Sequence, residues 1–141
     1  MVTRASSISF KENGQTKGIH IMGWADNYIK ILLETGEVQF KPSGNSMTGK
    51  VESGSQCKVI NSPTIVYEVG DIVLCKVSGK QYLHLISALD KPRDRVQISN
   101  NKGFVNGWIK ISAIYGLCVQ VNDKVLWTNQ DLEQRIVICT K

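Results

Sequence analysis

The chain has 141 residues, 42% of them hydrophobic and 21% charged, with a formal net charge of +5. That length supports one domain with a real core, spanning 1–141, and not two ordinary ones. No apolar run approaches the ~18 residues that span a bilayer, and the polar opening "MVTRASSISFKENG" lacks a signal-peptide core, so a cytoplasmic protein with no membrane contact is expected.

Taken in chain order, "SISF" and "GIHIM" read as short strands around the turn "ENGQTKG". Residues 24–34, "WADNYIKILLE", carry Trp24, Tyr28, Ile31 and Leu32 at helical spacing, and Gly36 can close the helix in a left-handed conformation. The rest reads as β. Strands are expected in "EVQFKP", "QCKVIN", "TIVYEV", "DIVLCKV", "QYLHLISAL", "RVQIS", "IYGLCVQV" and "RIVIC". Turns are expected at "SG", "VGD", "SGK", "NNKG" and "VNGW", with one helical turn in "TNQDLEQ". Trp108 is assigned to the core. Asp71, just after a glycine at a strand start, is expected to cap a turn.

The four cysteines, Cys57, Cys75, Cys118 and Cys139, sit in apolar strand-like runs without a C-x-x-C pair, which predicts buried, reduced thiols. Two distant histidines give no metal site and no motif calls for a cofactor. The charge of +5 permits weak nucleic-acid affinity, but the lysines are scattered and the aromatics are not interleaved with basic residues as in a stacking platform.

The stretch "KPSGNSMTGKV" carries the chemistry. Gly44 to Lys50 fits G-x-x-x-x-G-K, but a phosphate loop needs Ser or Thr after the lysine and then a helix, whereas Val51 and β-type residues follow. No nucleotide is expected there. The same residues also place Ser46 on a Gly/Ser-rich turn that can aim backbone amides at one point, with Met47 as a buried anchor. Serine needs a base. His84, within "YLHLI", is the candidate: burial favours its neutral form, and alternation puts it on one strand face with Tyr82 and Ile86, opposite Leu83 and Leu85.

The segment "KPSGNSMTGKVESGSQCKV…YEVGDIVLCKVSGKQYLHLI" resembles the core of the LexA/UmuD and signal peptidase clan. Ser46-Met47 match that clan's nucleophile turn, and Gly70-Asp71-Ile72-Val73 match its second strand motif. His84 stands on the strand that carries the base. The resemblance is strongest over 40–108. It implies a mainly β fold of curved, partly barrel-like sheets with one N-terminal helix near 24–34. It also implies a serine peptidase or related hydrolase acting on an amide or ester carbonyl. Asn45, Ser46 and Asn100 are the oxyanion or orienting candidates. Most of the clan uses lysine as base, and its histidine-using members add an aspartate to orient the ring. Here "SNN", Ser99 to Asn101, stands at the matching place, and no cleavage bond of the LexA kind precedes Ser46. The alternative expectation is therefore a peptidase-derived module that binds a protein, a peptide or nucleic acid, with room for a homodimer.

Overall fold

A computed structural model describes residues 23–42, 47, 49–52, 54–62 and 65–140, with 135–140 as backbone only. The expected strands "SISF" and "GIHIM" lie outside the described residues.

The first element is helix α1, Asp26–Thr35, which ends at Gly36 with φ 89° and its N–H donating to Leu32 O. Ala25, Ile29 and Leu32, one helical stripe, are buried against the sheet. The helix start is pinned from a distant strand: Gln81 Oε1 accepts from Ala25 N at 2.8 Å, and Trp24 Nε1 donates to Gln81 O at 3.0 Å.

Strands follow as β1 Glu37–Phe40, β2 Cys57–Ile60, β3 Ile72–Val77, β4 Lys80–Asp90, β5 Arg95–Ser99, β6 Val105–Lys110, β7 Ile114–Val121 and β8 Lys124–Val125. They form one antiparallel sheet in the order β1-β2-β7-β3-β4-β5-β6, with β8 on β7. Ser78 and Gly79, both with positive φ, join β3 to β4 in the tight hairpin that their residue types favour. The sheet is not closed, because β6 pairs only with β5. It curls, however, until a Cβ on Gly107 of β6 would lie 3.3 Å from Val77 Cγ1 of β3.

Both sheet faces are apolar. One carries the cluster that includes Leu32, Phe40, Met47, Val59, Leu74, Leu83 and Cys118 beneath α1. The other holds Val73, Cys75, Ile86, Val96, Ile98, Ile109 and Leu117. Strand β3 feeds both by alternation: Ile72 and Leu74 go one way, Val73, Cys75 and Val77 the other.

Four expectations are corrected. "TIVYEV" forms no strand over its described residues; Ile65 and Tyr67 instead cover the second cluster with their side chains. "RIVIC" lies in helix α2, Asn129–Thr140. A reciprocal cap starts that helix: Asp131 N donates to Thr128 Oγ1 and Thr128 N to Asp131 Oδ2, so local hydrogen bonding outweighs the β propensity that follows. "VNGW" is not a turn but the start of β6. Trp108 is 41% exposed, because β6 is an edge strand with one face towards water. The three cysteines with described side chains, Cys57, Cys75 and Cys118, are buried and unbridged; Cys139 lies in α2, its side chain outside the described residues.

Candidate active site

His84 lies mid-way along β4, opposite Val73 of β3, and is 6% exposed. Its neighbours divide as alternation demands: Leu83 and Leu85 pack in the α1-side cluster, Tyr82 and Ile86 in the other. The Tyr82 ring lies 4.7 Å from the His84 ring. His84 Nδ1 is 2.7 Å from Asn106 Oδ1. An amide oxygen only accepts, so Nδ1 carries the proton and Nε2 is the basic nitrogen. Burial holds the imidazole below its ordinary pKa, with the Asn106 bond opposing that shift in part, so the ring favours the neutral form of a general base.

Asn106 reaches His84 because of a β-bulge. Ser99 pairs with Val105 and Ile98 with Gly107, which leaves Asn106 as the extra residue in β6. A bulge turns its extra side chain out of the regular alternation. Gly107 completes it with φ 147°, a value that disfavours a side chain.

Asn100 does other work. Its Oδ1 accepts from Lys102 N at 2.8 Å and from Phe104 N at 2.9 Å, which folds the β5–β6 turn. The orienting contact on Nδ1 therefore comes from Asn106 and not from Asn100. The reading as a turn hid Asn106. A glycine inside a β-type run is the usual sign of a bulge, and Asn106-Gly107 carried that sign.

Asn45 and Ser46 lie outside the described residues. What flanks them is defined. Gly54 N donates to Pro42 O at 3.0 Å, closing the loop that holds both. Met47 is buried with Leu83 and Val51 in the α1-side cluster, as an anchor would be. Lys50 N and Val51 N donate to Met47 O, and Gly49 N to Glu52 Oε2, so these three amides are committed. Among the described residues the Met47 N–H has no acceptor. After Lys50 comes a turn and then β2, with no helix among the described residues between them, so the fold context of a phosphate loop is missing. A Cβ on Gly49 would sit 3.0 Å from Asn101 Nδ2, which puts this turn against the β5–β6 hairpin. Asn101 lies two residues after Ser99, which pairs with Leu85, the neighbour of His84. Asp71 caps its turn as expected, Glu68 N donating to Asp71 Oδ2 at 2.8 Å.

No family model matches the chain. No curated protein matches it either. Among the described residues there is no cluster of three or more His, Cys, Asp or Glu side chains fit to hold a metal, and no helix long and apolar enough to cross a membrane.

Proposed function

We propose that the chain is a Ser-His hydrolase of the LexA/signal peptidase type, in which an asparagine replaces the orienting acid. Ser46 attacks an amide or ester carbonyl, His84 Nε2 takes its proton, and the Met47 N–H, beside the nucleophile, helps to receive the oxyanion. The observation that carries the reading is the 2.7 Å contact from His84 Nδ1 to Asn106 Oδ1. A buried histidine held in one tautomer and orientation by a partner on Nδ1 suits a general base. The contact of the turn at Gly49 with Asn101 adds support, since Ser99, two residues before Asn101, pairs with Leu85, the residue after His84.

The amide sets a limit. It orients the ring but stabilises imidazolium less than a carboxylate does, and in a full triad loss of the acid costs about 10⁴-fold in rate. Slow turnover is therefore expected. A fluorophosphonate probe should label the wild type at Ser46, with no label in Ser46→Ala and a strongly reduced rate in His84→Gln. Labelling that persists unchanged in His84→Gln would sink the reading, as would a wild type that reacts no faster than a denatured control.

A further inference from the structure

The sheet face on the α1 side does not stay covered along its whole length. Its β4–β5–β6 part forms three rows by register. Leu85, Ser99 and Val105 make the first, Ala88, Gln97 and Trp108 the second, and Asp90, Arg95 and Lys110 the third. In the first row Ser99 is buried. In the other two, Trp108 and Lys110 are exposed and Ala88, Gln97 and Arg95 half-buried. Bulges at Ser87 and Asn106 keep the rows in phase, so Val105, Trp108 and Lys110 all point the same way.

The third row is unusual. Arg95 and Lys110 stand directly opposite each other, an arrangement of like charges that destabilises a sheet. Among the described residues neither forms an ion pair. Asp90, their row neighbour, is engaged by Arg93 at 3.1 Å, and Asp94 adds a second carboxylate in the turn before β5. With Lys91 and Arg93 the corner remains cationic. Beside the cations lies an exposed indole. Next to Trp108 in the row is Gln97, whose Oε1 accepts from Ser87 Oγ at 3.1 Å while its Nε2 makes no hydrogen bond among the described residues. Ala88, at the row's far end, adds no bulk.

We infer that this β5–β6 face binds a single-stranded nucleic acid, a base stacking on Trp108 while Arg95 and Lys110 take adjacent phosphates. Unpaired neighbouring cations call for an anion, and a flat indole beside an amide donor suits a base better than a carboxylate side chain. Aromatic and basic residues that look scattered along the chain are interleaved here, because alternation sets Trp108 and Lys110 on one face and pairing adds Arg95. The inference does not depend on Ser46 or His84.

The test uses the full chain and a fluorescein-labelled twelve-nucleotide single strand of mixed sequence, read by anisotropy at low salt. Binding should weaken about tenfold or more in Trp108→Ala and be largely kept in Trp108→Phe, which retains a stacking ring. Lys110→Gln should reduce the slope of log affinity against log salt by about 0.7, the share of one single-strand phosphate contact. Lys58→Gln, on β2 and paired with Glu37, should change neither. Circular dichroism checks that each variant is folded; the exposure of Trp108 and Lys110 makes both safe sites. No binding at low salt overturns the inference, and so does binding indifferent to Trp108→Ala. Poly-glutamate bound more tightly than the oligonucleotide would also overturn it, in favour of an acidic protein partner.

Discussion

Asn106 is the residue on which most depends, and its chemistry can be altered by one atom. Asn106→Asp puts a carboxylate against His84 Nδ1, which favours imidazolium and raises the histidine pKa. Serine-probe labelling should then become faster, and its pH midpoint should move up. Asn106→Ala should slow labelling while leaving the fold intact. If both variants label as the wild type does, Asn106 orients nothing that matters to the serine. His84 also makes stability depend on pH. Its folded pKa lies below the ordinary value, so between the two values the unfolded chain binds more protons. Stability is therefore greatest above about pH 6.5, falls as pH drops through the window below it, and levels off once the folded ring is protonated. Urea midpoints at about pH 7.5 and pH 5.5 should show this loss, and His84→Gln should remove its share.

At the scale of the element, the β6 bulge is what carries Asn106 to His84. Gly107 holds φ 147°, and a methyl group there would sit 3.3 Å from Val77 Cγ1, a tight contact. Gly107→Ala should cost about 1–3 kcal/mol, from strain and crowding together. Because Asn106 precedes it, probe labelling should fall by more than the lost stability explains; unchanged labelling would uncouple the bulge from the site. The same strand marks where the sequence could be read and where it could not. Strands β3 and β4 announce themselves through β-branched and apolar residues with Ser78-Gly79 between them, and α1 through its helical spacing and Gly36, although Ala25, Ile29 and Leu32 form the buried stripe while Trp24 and Ile31 are exposed. His84 was legible because a lone imidazole in an apolar strand stands out. Strand β6 was hidden because Val-Asn-Gly-Trp mimics turn chemistry, and what makes it a strand is pairing to β5, a non-local fact. Helix α2 was hidden for the opposite reason: the Thr128–Asp131 cap is local, but the Ile-Val-Ile run after it has the composition of a strand.

For the molecule as a whole, β3 is shared by two apolar clusters on opposite faces of one sheet. Neither cluster can be lost while β3 stays in register, so the domain should unfold in one step. Trp24 sits at the α1 side, edge-on to Tyr28 and tilted against Phe40, and Trp127 packs against the other cluster. With Trp108→Phe as background, variants that keep only Trp24 or only Trp127 should report the same urea midpoint after correction for the substitutions' own costs. Separate midpoints would mean the two faces come apart independently.

The buried thiols give this architecture a built-in clock. Cys57, Cys75 and Cys118 have no exposed surface and lie on β2, β3 and β7, three adjacent inner strands. Burial pushes Cys75 up to about 12, and the hydrogen bond to Cys57 together with burial pushes Cys118 upward. Cys57 is shifted the other way, its thiolate favoured by the hydrogen bond from Cys118. An alkylating reagent needs both access and thiolate; the native sheet denies access to all three and disfavours the thiolate at Cys75 and Cys118. Each cysteine can therefore be modified only while its strand is open. Mass spectrometry of the chain during slow alkylation would time those openings strand by strand, with no residue replaced.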